Sequence, residues 1–286
     1  MYIVLTTFLG FLSASTHGAV LPAVNSPSAA TSHATKRDNT AWMTPHDMYS
    51  SSVGVLGCMI DTNRVAYWPE AVDCNNICVE VSHHGRTVNL LRIDQSQGAY
   101  DISYDAFNFL TTGKSALEAP TNEGSPTEMS WRYVDADKCK KLIKTAEKKL
   151  PLSAANSMNY AASCLEQPSS WIAQNHDFFN ILDPICSLGR DEKCSLDWPA
   201  SHNPTCAHTL GEPVALDEEK AVVNIRFPTG ELVLSTTNTV IESAPATSSA
   251  DEAEASGAVF KEISSNPLVM ALIAMLMNVL KGLHSN

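Results

Sequence analysis

Eight cysteines, divided three and five about the middle of the chain, constrain this sequence more than any other feature. Cys58, Cys74 and Cys78 lie in the amino-terminal half, and Cys139, Cys164, Cys186, Cys194 and Cys206 follow. Both counts are odd. If every cysteine pairs within the chain, at least one bridge must join the halves and tie them into one covalent body. Cys74-x3-Cys78 and Cys186-x7-Cys194 do not have the short paired spacings of structural zinc sites. All eight therefore read as a disulfide framework, and no metal is expected.

Such a framework needs an oxidising compartment, and the amino terminus agrees. Tyr2 to Leu12 is mostly apolar and runs into small residues at Ala14, Gly18 and Ala19. That is the form of a secretory signal peptide over residues 1–19, cut after Ala19, although no Lys or Arg precedes the apolar run. Residues 20–37 are rich in Ser, Ala, Thr and Pro, cannot build a core, and end on Lys36-Arg37. The dibasic pair reads as a propeptide cleavage site, with a mature chain from Asp38; the plainer alternative is an exposed basic pair. The expected location is extracellular.

The chain carries 19 basic against 31 acidic residues, a net charge of −12. Removing residues 1–37 takes away Lys36 and Arg37 and no acid, which leaves −14. No Lys/Arg stripe with interleaved aromatics occurs, so nucleic acid and anionic membrane surfaces are excluded as partners. No N-glycosylation acceptor is present, since Asn203 is followed by Pro204.

Asp38 to Ser52 reads as a polar lead-in. Val53 to Cys58 and Arg64 to Trp68 are apolar and β-prone, and Cys78 to Val81 alternates as a half-buried strand does. Met129 to Val134 is a candidate last strand. Residues 137–211 read as a helical cysteine-rich region. One helix is expected over Asp137 to Lys149, with Leu142, Ile143 and Ala146 on one face, and a second over Ser153 to Leu165. Trp171, Phe178 and Phe179 follow at helical spacing as core residues. Residues 220–235 form a plausible hairpin about Pro228-Thr229-Gly230, and residues 243–257 a disordered linker. Residues 267–283 are an apolar helix too short to cross a bilayer comfortably. With Ser256-Gly257-Ala258 before it, that helix reads either as a GPI-attachment signal or as an amphipathic helix that packs on the body or on another copy.

Gly85 to Leu110 is the most informative continuous stretch. A turn at His84-Gly85-Arg86 leads into an apolar strand with Val88, Leu90 and Leu91. Then come Asp94, a polar turn with Gly98, and Asp101. Ile102, Ala106, Phe107 and Leu110 follow at helical spacing, with Ser103 placed to cap. The order strand, acidic turn, short helix brings two carboxylates close together at a sheet edge.

Gly85-Arg86-Thr87-Val88, Asp94 and Asp101-Ile102-Ser103, in that order, resemble the second half of a double-psi β-barrel of the RlpA-like, expansin and barwin type. The resemblance covers Cys58 to Leu110. It implies a mainly β fold with some α: a six-stranded double-psi β-barrel over residues 53–135, to which the helical region is linked by disulfides. The rest of the chain resembles secreted cysteine-rich proteins of fungi. Endoglucanases related to this superfamily use an aromatic-Asp motif as general acid, and Tyr100-Asp101 matches it, so the resemblance assigns that role to Asp101. Ala99 stands where a His often precedes the aromatic. The same enzymes place a base just after a Tyr-Trp pair. Here Pro69-Glu70-Ala71-Val72 separates Tyr67-Trp68 from Asp73, which makes Asp73 a displaced candidate base. Expansins and many barwin-like proteins lack the base and do not hydrolyse sugars.

Glycoside cleavage needs one protonated and one ionised carboxyl flanking the scissile bond. The plainer reading of Asp101 and Asp94 is that they accept backbone N–H bonds or cap a turn. Tyr67, Trp68 and Tyr100, with Asp94, form a candidate sugar groove, because aromatic faces suit the apolar faces of pyranose rings; the plainer reading is barrel core. His83 and His84, adjacent on a strand end, point to opposite faces and cannot easily hold one metal. No phosphate-cradling loop or nucleophile elbow occurs, so no cofactor is expected. The best reading is a secreted, non-enzymatic protein, effector-like or carbohydrate-binding, that meets a cell-wall polysaccharide or a host protein. The alternatives are a weak glycoside hydrolase or lytic factor using Asp101, and a GPI-anchored structural wall protein.

Overall fold

The computed structural model describes residues 38–216 and 220–241. The signal peptide with Ala19, the propeptide with Lys36-Arg37, the linker at 243–257 and the apolar segment at 267–283 lie outside the described residues.

Six strands close into a barrel: β1 (Asn39–His46), β2 (Val65–Trp68), β3 (Cys78–His83), β4 (Arg86–Gln95), β5 (Tyr100–Ser103) and β6 (Thr127–Tyr133). Around the barrel they run β1-β5-β2-β4-β3-β6. β1 pairs parallel with β5 and β2 parallel with β4, while β2 and β5 are antiparallel. β1 and β2 thus flank β5, and β4 and β5 flank β2, so two crossover connections interlock. This is the double-psi arrangement. The β3–β4 hairpin turns on two residues, His84 and Gly85, at φ 49° and 76°. Paired positive φ values give the turn that matches strand twist, and glycine takes the second at little cost.

Helix α1 (Tyr104–Thr112) follows β5 directly. Ala106, Phe107 and Leu110 join Met43, Ala66, Val79, Val81, Leu90, Ile102 and Met129 in the core inside and under the barrel. Ser103 makes no cap bond through its side chain. Its Oγ donates to the Asn63 carbonyl at 2.6 Å and accepts from the Val65 N–H at 3.3 Å instead, which ties β5 to the start of β2.

The polar lead-in is corrected. Residues 39–46 are β1, wedged between β5 and β6. Only Ala41 and Met43 of this strand are fully buried, so its alternation is short and its apolar content low. Two flanking strands, rather than its own propensity, hold it extended. Val53 to Cys58 is corrected too: it forms a short 3-10 turn and an isolated bridge from Val55 to Leu152.

The second lobe holds less helix than its sequence implied. β7 (Leu150–Ser153), β8 (His176–Ile181) and β9 (Gly189–Cys194) form a three-stranded sheet, with α2 (Met158–Leu165) and the one-turn α3 (Trp171–Gln174) beside it. The helix expected over 137–149 is a 3-10 stretch, Ala136–Leu142. Cys139 is bridged to Cys78 and Ile143 pairs with Ile60, so tertiary ties override the local helical pattern. Phe178 and Phe179 lie on β8, drawn into strand by partners on both sides. Downstream, β10 (Val223–Ile225) and β11 (Leu232–Leu234) pair antiparallel, and β12 (Val240–Ile241) adds to β11.

All eight cysteines pair: Cys58–Cys186, Cys74–Cys164, Cys78–Cys139 and Cys194–Cys206. The first three each link the amino-terminal half to the second lobe, where the odd counts required at least one. Val65, Tyr67, Leu91 and Ile93 on the outer face of the barrel share one apolar core with Leu150, Leu152, Ile172 and Phe178 of the lobe. Disulfides of this number belong to an oxidising compartment. Among the described residues no helix is long and apolar enough to cross a membrane.

Candidate functional site

Strand alternation decides what the predicted site residues can do together. Consecutive side chains on a strand point to opposite faces. On β2, Tyr67 therefore faces outward into the core shared with the second lobe, and Trp68 faces inward into the barrel core. On β5, Tyr100 packs against the inner cluster, while Asp101 points outward to Thr44. Residues that are neighbours in sequence thus belong to two separate groups.

The outer group is Tyr67, Asp94 and Asp101. β4 bulges here, so that Ala66 aligns with Arg92 and Tyr67 with Asp94. Asp94 Oδ1 accepts from the N–H groups of Ser52 at 2.7 Å and Gln95 at 2.8 Å, and Oδ2 accepts from the Ser50 hydroxyl. Asp94 thus pins the 50–52 loop to the end of β4. Asp101 accepts from the Thr44 hydroxyl, linking β5 to β1. Tyr67 is buried, and its ring packs tilted against that of His46 at 4.4 Å. Burial pushes its phenol well above the usual range, and the charges of Asp94, Asp101 and Asp47 add to the effect. The space bounded by His46, Asp47, Tyr67 and Ser103 is about 10 Å³, room for about one water. A more open groove of about 320 Å³ lies between Ser50–Ser52 and Pro184–Ile185; Asp94 lines it, and Asp101 does not.

The inner group lies at one end of the barrel. β2, β4 and β6 finish there and β1, β3 and β5 begin there, as their registers require. At this mouth Trp68 is fully buried. Its ring stands 4.6 Å from Trp131, 5.3 Å from Tyr100 and 6.3 Å from Tyr133. Tyr100, Trp131 and Tyr133 are half-buried, so part of each ring faces out. Trp68 itself is enclosed, and it backs the three half-exposed rings.

Arg92 is 1 % exposed, and its guanidinium carbon lies 6.0 Å from the centre of Trp68 and 5.8 Å from that of Tyr133. Its Nη2 donates to the carbonyls of Glu70 at 2.7 Å and Ala71 at 2.6 Å. A buried cation without such partners would be strongly unfavourable. Here it clamps the segment that separates Tyr67-Trp68 from Asp73, so that the segment lies along the mouth as a strap. Gln95 Nε2 donates to the Pro69 carbonyl at 3.0 Å, and the Tyr100 hydroxyl donates to Glu70 Oε1 at 2.8 Å. The far end is held by Cys74–Cys164 and by the Trp171 N–H on Asn75 Oδ1. Burial, then the hydrogen bond to Glu70 and its charge, push the Tyr100 phenol up to about 12.

Asp73 sits on this strap, exposed, and Oδ1 accepts from the N–H groups of Asn75 at 2.7 Å and Asn76 at 2.6 Å. It caps its own turn on the mouth side, whereas Asp101 bonds to Thr44 on the outer face. The two residues read as acid and base share no hydrogen-bond partner. Among the described residues no group of His, Cys, Asp and Glu could hold a metal ion.

Four mouth residues went unread in the sequence: Glu70, Arg92, Trp131 and Tyr133. The signal for two of them was present, because Met129, Trp131 and Tyr133 alternate along β6. Arg92 stands alone among Leu90, Leu91 and Ile93, which is unusual for an exposed residue. Three buried donors at the mouth, Trp68 Nε1, Trp131 Nε1 and Arg92 Nε, have no hydrogen-bond partner among the described residues. Buried polar groups are nearly always paired, so each such exception calls for an explanation.

No family model matches the chain, and no curated protein matches it. Among solved structures it is similar to cerato-platanin 3 and cerato-platanin 2 of M. perniciosa, at 11 % and 13 % identity with TM-scores of 0.27. It is also similar to the fungal elicitor cerato-platanin, at 16 % identity and a TM-score of 0.28. These likenesses cover 36 %, 35 % and 36 % of this chain and 99 %, 98 % and 98 % of the respective relatives.

Proposed function

We propose that this chain is a secreted, non-catalytic carbohydrate-binding protein of a cell wall or host surface, and that the barrel mouth is its contact face. The half-exposed patch of Tyr100, Trp131 and Tyr133 over a buried Trp68 carries this reading. Half-exposed aromatic rings backed by a packed one suit the C–H faces of an extended pyranose chain. Asp73 is taken up by its own turn and Asp101 by Thr44, which supports binding without hydrolysis, since cleavage needs two carboxyls on either side of one bond.

The test is incubation of the purified protein with insoluble chitin, β-glucan and cellulose, reading pelleted protein and released reducing sugar together. Retention without release is the expected result, and Trp131→Ala should cut retention about tenfold with its far-UV circular dichroism unchanged. Sugar release that disappears in Asp101→Asn would establish the hydrolase instead. Retention on none of the polymers would direct the search to a host protein.

A further inference from the structure

We infer that Arg92 is the positioning residue of the mouth: it holds the strap against the barrel end and thereby sets Tyr100 beside Trp131 and Tyr133. This rests on the reading of the mouth as a carbohydrate-contact face. Arg92 shares one side of β4 with Val88 and Leu90, both in the barrel core, so alternation calls for an apolar side chain there. Instead the position holds a cation that is 1 % exposed and belongs to no ion pair among the described residues. Burying a charge without a counter-charge costs stability, and apolar residues of similar volume often hold a fold as well or better. Stability alone therefore does not account for Arg92; its contacts do.

One nitrogen, Nη2, donates to the carbonyls of Glu70 at 2.7 Å and Ala71 at 2.6 Å. Both residues are exposed, so water can take over these carbonyls once the strap is released. Glu70 in turn accepts from the Tyr100 hydroxyl at 2.8 Å. The guanidinium carbon is 5.8 Å from the centre of Tyr133 and 6.0 Å from that of Trp68, and Trp131 stands 4.6 Å from Trp68 and 5.2 Å from Tyr133. A single buried group thus reaches Tyr133 directly, Trp131 through Trp68, and Tyr100 through the strap. A ring set in place before a sugar arrives need not be ordered on binding, a gain of about threefold to tenfold in affinity for one side chain.

The experiment reads Tyr100 in Arg92→Met, which replaces the cation by a flexible apolar chain that fills irregular space. In the wild type, burial and then the hydrogen bond and charge of Glu70 hold the Tyr100 phenol up, to about 12, while the charge of Arg92 opposes them more weakly. If Arg92 holds the strap, its loss frees Glu70, and the Tyr100 step moves down toward free tyrosine. If the strap stays in place without it, only the opposing charge is lost, and the step moves up. The step is followed at 295 nm and assigned by its absence in Tyr100→Phe. The downward move is expected, with retention weakened about threefold to tenfold on whichever of chitin, β-glucan and cellulose the wild type holds, and with far-UV circular dichroism unchanged. Glu70→Ala, on the exposed strap, should weaken retention by a similar factor, and the double variant should lose no more than either alone. Glu70→Ala by itself keeps the test should Arg92→Met not fold. An upward or unmoved step, wild-type retention in either variant, or additive losses would overturn the inference. Its failure is distinct from that of the contact face. A loss of retention in Trp131→Ala beside an intact Arg92→Met upholds the face and removes Arg92 as its positioning residue. An unchanged Trp131→Ala sinks the face, and the direction of the Tyr100 step then decides whether Arg92 holds the strap.

Discussion

The two faces of β2 and β5 use similar residues for opposite ends. On the outer face, Asp94 and Asp101 have hydrogen-bond partners from the protein, Tyr67 is enclosed, and the second lobe covers the strands. At the inner end, Tyr100, Trp131 and Tyr133 stay half-open and three donors lack partners. A carboxylate whose bonds are filled by its own chain holds the fold. On the proposed reading, the half-exposed rings are where a polysaccharide is met.

The largest effect expected from breaking this contrast lies at the strap. Replacing Cys74 and Cys164 together by serine opens a bridge that spans 90 residues and should cost about 3–5 kcal/mol, read by urea unfolding without reductant. An unchanged midpoint would mean that Arg92 and the hydrogen bonds hold the strap unaided. Next comes Asp94→Ala, which removes the acceptor of the Ser50 hydroxyl and of the Ser52 N–H and leaves the Gln95 N–H with the Ser52 hydroxyl alone, and should cost about 1–2 kcal/mol. Polysaccharide retention by the folded variant should match the wild type; a loss would place the outer face in the binding site.

Alkaline pH separates the two faces by their phenols. Tyr67 and Tyr49 on the outer side and Tyr100 at the mouth all have raised folded-state values, Tyr100 to about 12. Protons are then held more tightly in the folded state than in the unfolded one. The stabilisation is complete below the ordinary tyrosine value near about 10, and it is lost as pH rises through the folded values. Titration followed at 295 nm should show Tyr100 ionising about 2 units above free tyrosine, and Tyr100 should move down in Glu70→Gln. An unshifted titration would remove the Tyr100–Glu70 contact from the account. The smallest effect is expected from Trp42→Ala. Trp42 is 63 % exposed on the outer side of β1, so its loss should change stability by less than about 0.5 kcal/mol and leave retention intact.

The barrel was legible because its signals are local and ordered. The His84-Gly85 turn, the apolar β4 and the run from Asp101 into α1 follow one another in sequence as they do in space. β1 was hidden, since Ala41 and Met43 are its only fully buried residues and its partners come from β5 and β6. The second lobe misled for the same reason: Phe178 and Phe179 sit at a spacing a helix could use, but pairing with β7 and β9 settles the matter as strand. In the site, the sequence brought Tyr67, Trp68, Tyr100 and Asp101 together because they are neighbours in pairs. A strand separates such neighbours, and only closure of the barrel brings Trp131 and Tyr133 from β6 beside Trp68.

The contrast between the faces comes down to one paired measurement: dissociation constants of Trp131→Ala and Asp101→Asn on the same insoluble polysaccharide, each beside the wild type and each shown to be folded. The account predicts a loss of about tenfold for Trp131→Ala and none for Asp101→Asn. Intact binding in the first with loss in the second would contradict it and return the site to the outer face.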